Sequence, residues 1–288
     1  MFEDFVHSIV DTGDAEISTW RSGKGAGLLL LHGHPQTHVM WHRIAPLLAR
    51  DFTVIAPDLR GYGASSKPPA TADNESYSKR AVARDHVAVM EQHGFDRFYV
   101  TGHDRGAYSA YRLALDHPQR VERLAVLDIV PAGEAWRRAD VTFMLKWWHW
   151  AFLAQPAPMP EQLLNGNPDA YYFRTNRDLF APDALVEYLR AVHDPETVHA
   201  MCNDYRANAT YDRVLDEQDR AANRRIECPV LVLWGARDDL PILYGDPLAI
   251  WRDWAPNVTG RGIDCGHFLA EEAPDETYQE LRRFFAAP

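Results

Sequence analysis

Short apolar runs recur along the chain, each closed by glycine or proline: residues 26–31, 52–57, 98–102, 124–130 and 229–235. Their content of Leu, Val and Ile without polar alternation suits strands buried on both faces of a parallel sheet. A further run at 258–264 reads as one more strand. Between the runs lie stretches with helical spacing, at about 38–50, 77–93, 105–117 and 275–285. Strand and helix in alternation predict a doubly wound α/β sheet. Ahead of these, 2–9 and 15–21 read as an antiparallel edge hairpin, turned at Thr12-Gly13-Asp14.

One stretch breaks the rhythm. From 132 to 222 no sheet strand is evident. The segment is rich in aromatics (Trp136, Trp147, Trp148, Trp150, Phe152, Tyr171, Tyr172, Phe173) and is interrupted by Gln155-Pro-Ala-Pro-Met-Pro160. It is expected to be a helical cap inserted into a core made of residues 1–131 and 223–288. Open α/β sheets bind ligands at the carboxyl ends of their strands. A cap over that edge would keep bulk water from chemistry below it.

At one such strand end stands Gly102-His103-Asp104-Arg105-Gly106. Strand, tight turn and helix is the setting of a nucleophile elbow, here with Asp where a serine is usual. The exchange changes the reaction class. A carboxylate, with an ordinary pKa of about 3.9, is already ionised at neutral pH. It can displace a leaving group from a saturated carbon, giving an aspartyl ester that water must cleave. Asp104 therefore points to dehalogenation or epoxide opening. A plain helix N-cap is the structural alternative.

Cys265-Gly266-His267-Phe268 follows the last expected strand, where this architecture holds its catalytic histidine. His267 would activate the water that attacks the ester. Two acids are placed to orient it: Asp128, ending the 124–130 run, and Asp238, following 229–235. Strand position alone does not choose between them.

The remaining composition narrows the setting. Apolar residues are 46% and charged residues 25%, which excludes a disordered chain. Net charge is −11, with no basic patch to grip nucleic acid, so nucleic acid is not an expected partner. An anionic substrate would need local cations. No run of 18 apolar residues predicts a membrane span, and the first residues do not read as a signal peptide. Three cysteines, Cys202, Cys228 and Cys265, have no metal-ligand spacing. They suit reduced thiols in the cytoplasm, and no metal or cofactor is expected.

The chain resembles the α/β-hydrolases of the fluoroacetate (haloacetate) dehalogenase family along nearly its whole length. The matching pieces include His32-Gly-His-Pro-Gln-Thr-His-Val-Met-Trp-His42, Asp58-Leu-Arg-Gly-Tyr-Gly-Ala-Ser65, Gly102–Gly106, Leu124-Ala-Val-Leu-Asp-Ile129, His149-Trp150, Asp204-Tyr-Arg-Ala207 and Gly266-His-Phe268. The first two are general to the superfamily. The elbow Asp with His149-Trp150 and Asp204-Tyr-Arg is specific.

The resemblance implies an α/β-hydrolase fold and hydrolysis of a short 2-halo acid, with water as co-substrate and no cofactor. It implies that Asp104 displaces halide, His267 activates water and Asp128 is the triad acid. Trp234-Gly-Ala-Arg-Asp-Asp239 departs toward ordinary α/β-hydrolases and keeps Asp238 as a rival. His149, Trp150 and Tyr205 would hold the leaving halide. The backbone N–H groups of His34 and Arg105 would form the oxyanion hole. The substrate carboxylate would meet Arg105 and residue 108. There the family has a second arginine and this chain has Tyr108, which offers one O–H in place of a charged fork. His34 replaces a common Phe. A homodimer is also implied.

Overall fold

The computed structural model describes residues 1–173 and 177–286. Eight strands form one sheet: β1 Val6–Asp11, β2 Glu16–Gly23, β3 Gly27–Leu31, β4 Thr53–Pro57, β5 Phe98–His103, β6 Val121–Leu127, β7 Val230–Gly235 and β8 Val258–Ile263. Their order is β1-β2-β4-β3-β5-β6-β7-β8. β2 runs antiparallel to β1 and β4, and every other pairing is parallel. This is the mostly parallel sheet that the apolar runs predict. Leu28 to Leu31 on β3 are fully buried. Each leucine so enclosed contributes about 1.5–3 kcal/mol over an exposed one.

The edge hairpin exists but sits up to four residues later than expected. Its turn closes with Thr12 N–H donating to Ala15 O at 2.9 Å, and Gly13 adopts φ +88°. The 38–50 helix is instead two short pieces, a 3-10 turn His38–Trp41 and a helix Ala45–Leu48. Pro46 starts the second piece, as proline suits a first helical turn and not an interior. Helices Lys79–Gln92, Arg105–Asp116 and Pro274–Phe285 match their periodicity closely.

Between β6 and β7, from Ala132 to Ala221, the described residues form helices and no strand. Buried ion pairs fasten this stretch to the elbow helix. Arg112 reaches Asp216 at 2.8 Å and Asp219 at 2.6 Å. The Tyr111 hydroxyl donates to Asp216 at 2.7 Å. No described helix is long and apolar enough to cross a membrane. The three cysteines are unpaired.

Candidate active site

Asp104 sits between β5 and helix Arg105–Asp116 with φ +47° and ψ −118°, a conformation that L residues rarely adopt. Close packing holds it there. A Cβ on Gly106 would lie 2.4 Å from His32 O, and one on Gly102 would lie 2.4 Å from Gly106 O. Glycine at these two positions is what lets helix and strand meet so tightly at the turn. Asp104 Oδ1 accepts a hydrogen bond from His34 N–H at 2.7 Å. Burial pushes the Asp104 carboxyl up, but the charges of His267 and Arg105 and the His34 N–H outweigh it. The group stays below the ordinary carboxylate value and is ionised at neutral pH.

His267 lies on the loop after β8. Glu272 ties that loop down, accepting from Gly266 N–H at 2.8 Å and Phe268 N–H at 3.0 Å. His267 Nδ1 meets Asp128 Oδ2 at 2.6 Å, while Asp238 Oδ2 stands 3.6 Å from the same nitrogen. Asp128 lies just past β6 at φ +59°, where its Oδ1 accepts from Gly235 N–H at 2.9 Å. Burial lifts its carboxyl to about 7. Burial also opposes the charge on Asp238, but the bond and charge of His267 hold that carboxyl below its usual range. Burial pulls His267 down, and the bonds and charges of the two carboxylates override it, raising the imidazole well above its ordinary value.

A cavity of about 510 Å³ opens at this edge. Asp104, Asp128, Asp238 and His267 line its floor. His34 and Tyr108 complete the core side, and His149, Trp150, Tyr172 and Tyr205 come from the helical stretch. Burial lowers the His149 imidazole to about 4 and His34 to about 3, so both are neutral at pH 7. The rings pack edge-on: His149 against Tyr205 at 5.9 Å, Tyr108 against Trp150 at 5.8 Å. Trp147 stacks on Trp150 at 5.4 Å. At the rim Lys146 pairs with Asp239 at 2.5 Å. Imidazole, indole and phenol all bring hydrogen-bond donors to this wall.

Arg105 is placed differently from the sequence expectation. Its guanidinium lies behind the cavity wall, where Nε and Nη2 donate to the Asp204 carboxylate at 2.8 and 2.9 Å. Nη1 is buried with no hydrogen-bond partner among the described residues. The guanidinium rests on the Tyr205 ring at 4.4 Å and beside Tyr108 at 5.3 Å. Asp204 also accepts from the Tyr62 hydroxyl at 2.9 Å and from Lys79 Nζ. The motif Asp204-Tyr-Arg marked this place in the sequence, but nothing there signalled that its acid holds Arg105.

His34, His38 and His42 recur every fourth residue, a spacing that on one helix would converge on a metal. The structure separates them. His38 Nδ1 bonds Asp58 at 2.9 Å, and His42 Nδ1 bonds Val39 O at 3.0 Å. Asp128, Asp238 and His267 do bring one ligand atom each within 4.8 Å of one another. The His267–Asp128 hydrogen bond joins two of the three, and Asp238 stands 3.6 Å from the same nitrogen.

An aspartate at a strained elbow, a histidine backed by carboxylates and a roof of donors above them is equipped for displacement and then ester hydrolysis. Comparison with known proteins agrees. Residues 28–274 match the family described by the alpha/beta hydrolase fold. A fluoroacetate dehalogenase from Burkholderia sp is 42% identical over 293 residues, covering 99% of this chain and 95% of that protein. A soluble epoxide hydrolase from Corynebacterium sp. (strain C12) is 33% identical, covering 92% of each chain. A solved alpha/beta hydrolase structure from Nostoc sp PCC 7120 superposes with a TM-score of 0.97 at 50% identity, covering 100% of both chains. This chain belongs to the α/β-hydrolases, within the fluoroacetate dehalogenase family.

Proposed function

We propose that the protein hydrolyses the carbon–halogen bond of a short 2-halo acid such as fluoroacetate or chloroacetate. The observation that carries this reading is an ionised, strained Asp104 in the same cavity as the neutral donors His149, Trp150 and Tyr205. In the first step an Asp104 oxygen attacks C2, and the carbon–halogen bond breaks with its electron pair leaving on the halide. Away from bulk water the halide needs donors. Each hydrogen bond to an anion contributes roughly 1.5–3 kcal/mol, so three would supply roughly 4–9 kcal/mol. If formed mainly in the transition state, that is about three to six decades in rate.

In the second step His267 takes a proton from water, and the hydroxide adds to Asp104 Cγ. The oxyanion develops on the oxygen already held by His34 N–H. Arg105 N–H, at the first helical position and without an intrahelical acceptor, is the second donor. Collapse expels the 2-hydroxy acid, whose oxygen takes the proton back from His267, and the proton left on the Asp104 carboxyl is released to water, restoring the carboxylate. Asp128 holds the imidazole in position. The substrate carboxylate is assigned to the Tyr108 hydroxyl on the cavity wall, with the buried Arg105 guanidinium beside Tyr108 supplying positive charge from behind that wall. No metal or cofactor takes part.

Residues 132–222 act in this reading as the cap and the two flanking segments, 1–131 and 223–288, as the core. The family resemblance supports a homodimer, and free thiols suit a cytoplasmic setting. Epoxide opening by the same Asp and His is the second reading. It is favoured by the phenols Tyr108, Tyr171 and Tyr172 on the cavity wall. The test is free halide released from fluoroacetate and chloroacetate, beside Asp104→Ala. Release lost in the variant supports the first reading. Turnover of epoxides with no halide release supports the second.

A further inference from the structure

The proposed chemistry needs one acid behind His267, and the structure offers two. Asp128 is the nearer, buried and anchored by Gly235 N–H. Asp238, on the turn after β7, stands 3.6 Å from the same Nδ1. It is about one-fifth exposed, so it keeps its charge at less cost than Asp128 does. Neither acid has an arginine or lysine partner at ion-pair distance among the described residues, so His267 is the cation that both face.

We propose that Asp238 is a second positioning carboxylate for His267, shares its Nδ1 with Asp128, and sets the pH above which His267 serves as base. Two acids against one imidazole favour the imidazolium, because each opposite charge within about 4–6 Å stabilises it. A base that is protonated at rest accepts no proton from water. The ester-hydrolysis step is then switched on only as pH rises through the elevated His267 value. The step that forms the ester uses Asp104 alone and does not share this limit. The other groups facing His267 are Asp104 at the elbow, His103 with its ring 4.5 Å away, His149 on the helical stretch and Glu272 beneath the loop. His103 and His149 are neutral near pH 7, since burial holds them at about 3 and about 4. Asp104 is ionised as well, but it is unchanged in the Asp238 variants, so they isolate the share of Asp238.

The paired arrangement also implies overlap. With Asp128→Asn, Asp238 remains within a small side-chain rotation of Nδ1 and keeps part of the activity. The inference rests on the dehalogenase reading for its rates, but its first test does not. Proton NMR titration of His267 in the unliganded protein should show the midpoint falling by about one pH unit in Asp238→Asn. It should fall further in the Asp128→Asn/Asp238→Asn double variant. Asp238→Ser repeats the measurement should the Asn variant misfold. In steady state with chloroacetate, the alkaline-going limb of kcat should move down by the same interval in Asp238→Asn. Asp128→Asn should retain at least ten-fold more activity than the double variant. A His267 midpoint unmoved by either Asp238 change, or Asp128→Asn as inactive as the double variant, overturns the inference. No halide release from wild-type protein with the NMR shift present would count against the dehalogenase reading alone.

Discussion

The floor and the roof of the cavity are built on different principles. At the floor, backbone does the positioning. Asp104 and Asp128 both sit at positive φ, and main-chain N–H groups of His34 and Gly235 hold their carboxylates. At the roof, side chains do it. His149, Trp150 and Tyr205 are fixed by edge-on ring packing and by ion pairs beneath them. Backbone geometry tolerates few sequences, whereas a packed aromatic wall can be rebuilt residue by residue. On this account the floor sets the reaction class and the roof sets which substrate undergoes it.

That division can be broken at the floor first. Asp104→Ala should abolish halide release, by about 10⁴-fold or more, with Tm nearly unchanged. Retained turnover would mean that some other group is the nucleophile. A loss of fold rather than of rate is expected from Asp204→Asn. It leaves Arg105 and Lys79 buried without their counter-charge, at about 3–5 kcal/mol in urea denaturation. A cost below 1 kcal/mol would show that the roof does not depend on this anchor.

Roof substitutions should act on rate selectively. Trp150→Phe removes one indole donor and should lower kcat about 10- to 100-fold for fluoroacetate and less for chloroacetate, whose leaving group needs less help. Equal losses for both would make Trp150 a packing residue. Smaller still, Tyr108→Arg adds a fixed charge beside Arg105 and should lower KM for haloacetates about ten-fold with kcat nearly constant. An unchanged KM would show that Tyr108 is not what limits carboxylate binding.

The two halves of the reaction should also separate with pH. Asp104 is depressed, so ester formation should be level from about pH 5 upward. His267 is raised, so ester hydrolysis should fall as pH drops through its midpoint. Rapid-quench halide bursts followed by slow turnover at low pH would be the signature. Parallel decline of burst and turnover would contradict it.

The floor was largely legible in the sequence because its signals are local. Gly102, Asp104 and Gly106 fall within five residues, and His267 lies between glycine and phenylalanine at a strand end. The five central strands, β3 to β7, were legible for the same reason, since each announces itself by its own apolar run. What escaped is what long-range contact decides. Arg105 reads as a substrate clamp, yet Asp204, ninety-nine positions away, takes two of its nitrogens. Asp128 and Asp238 read as rivals, and folding brings both to one nitrogen because β6 and β7 are neighbours in the sheet. The 38–50 helix failed because periodicity did not register the break that Pro46 enforces.

The central claim is that Asp104 is alkylated and then hydrolysed. Its most direct test is several turnovers of chloroacetate in heavy-oxygen water, followed by mass spectrometry of the peptide that contains Asp104. Water that attacks the ester at Cγ leaves its oxygen in the aspartate, so the account predicts label in the Asp104 carboxylate. Label found only in the released hydroxy acid would mean that water attacks the substrate carbon directly, and would contradict it.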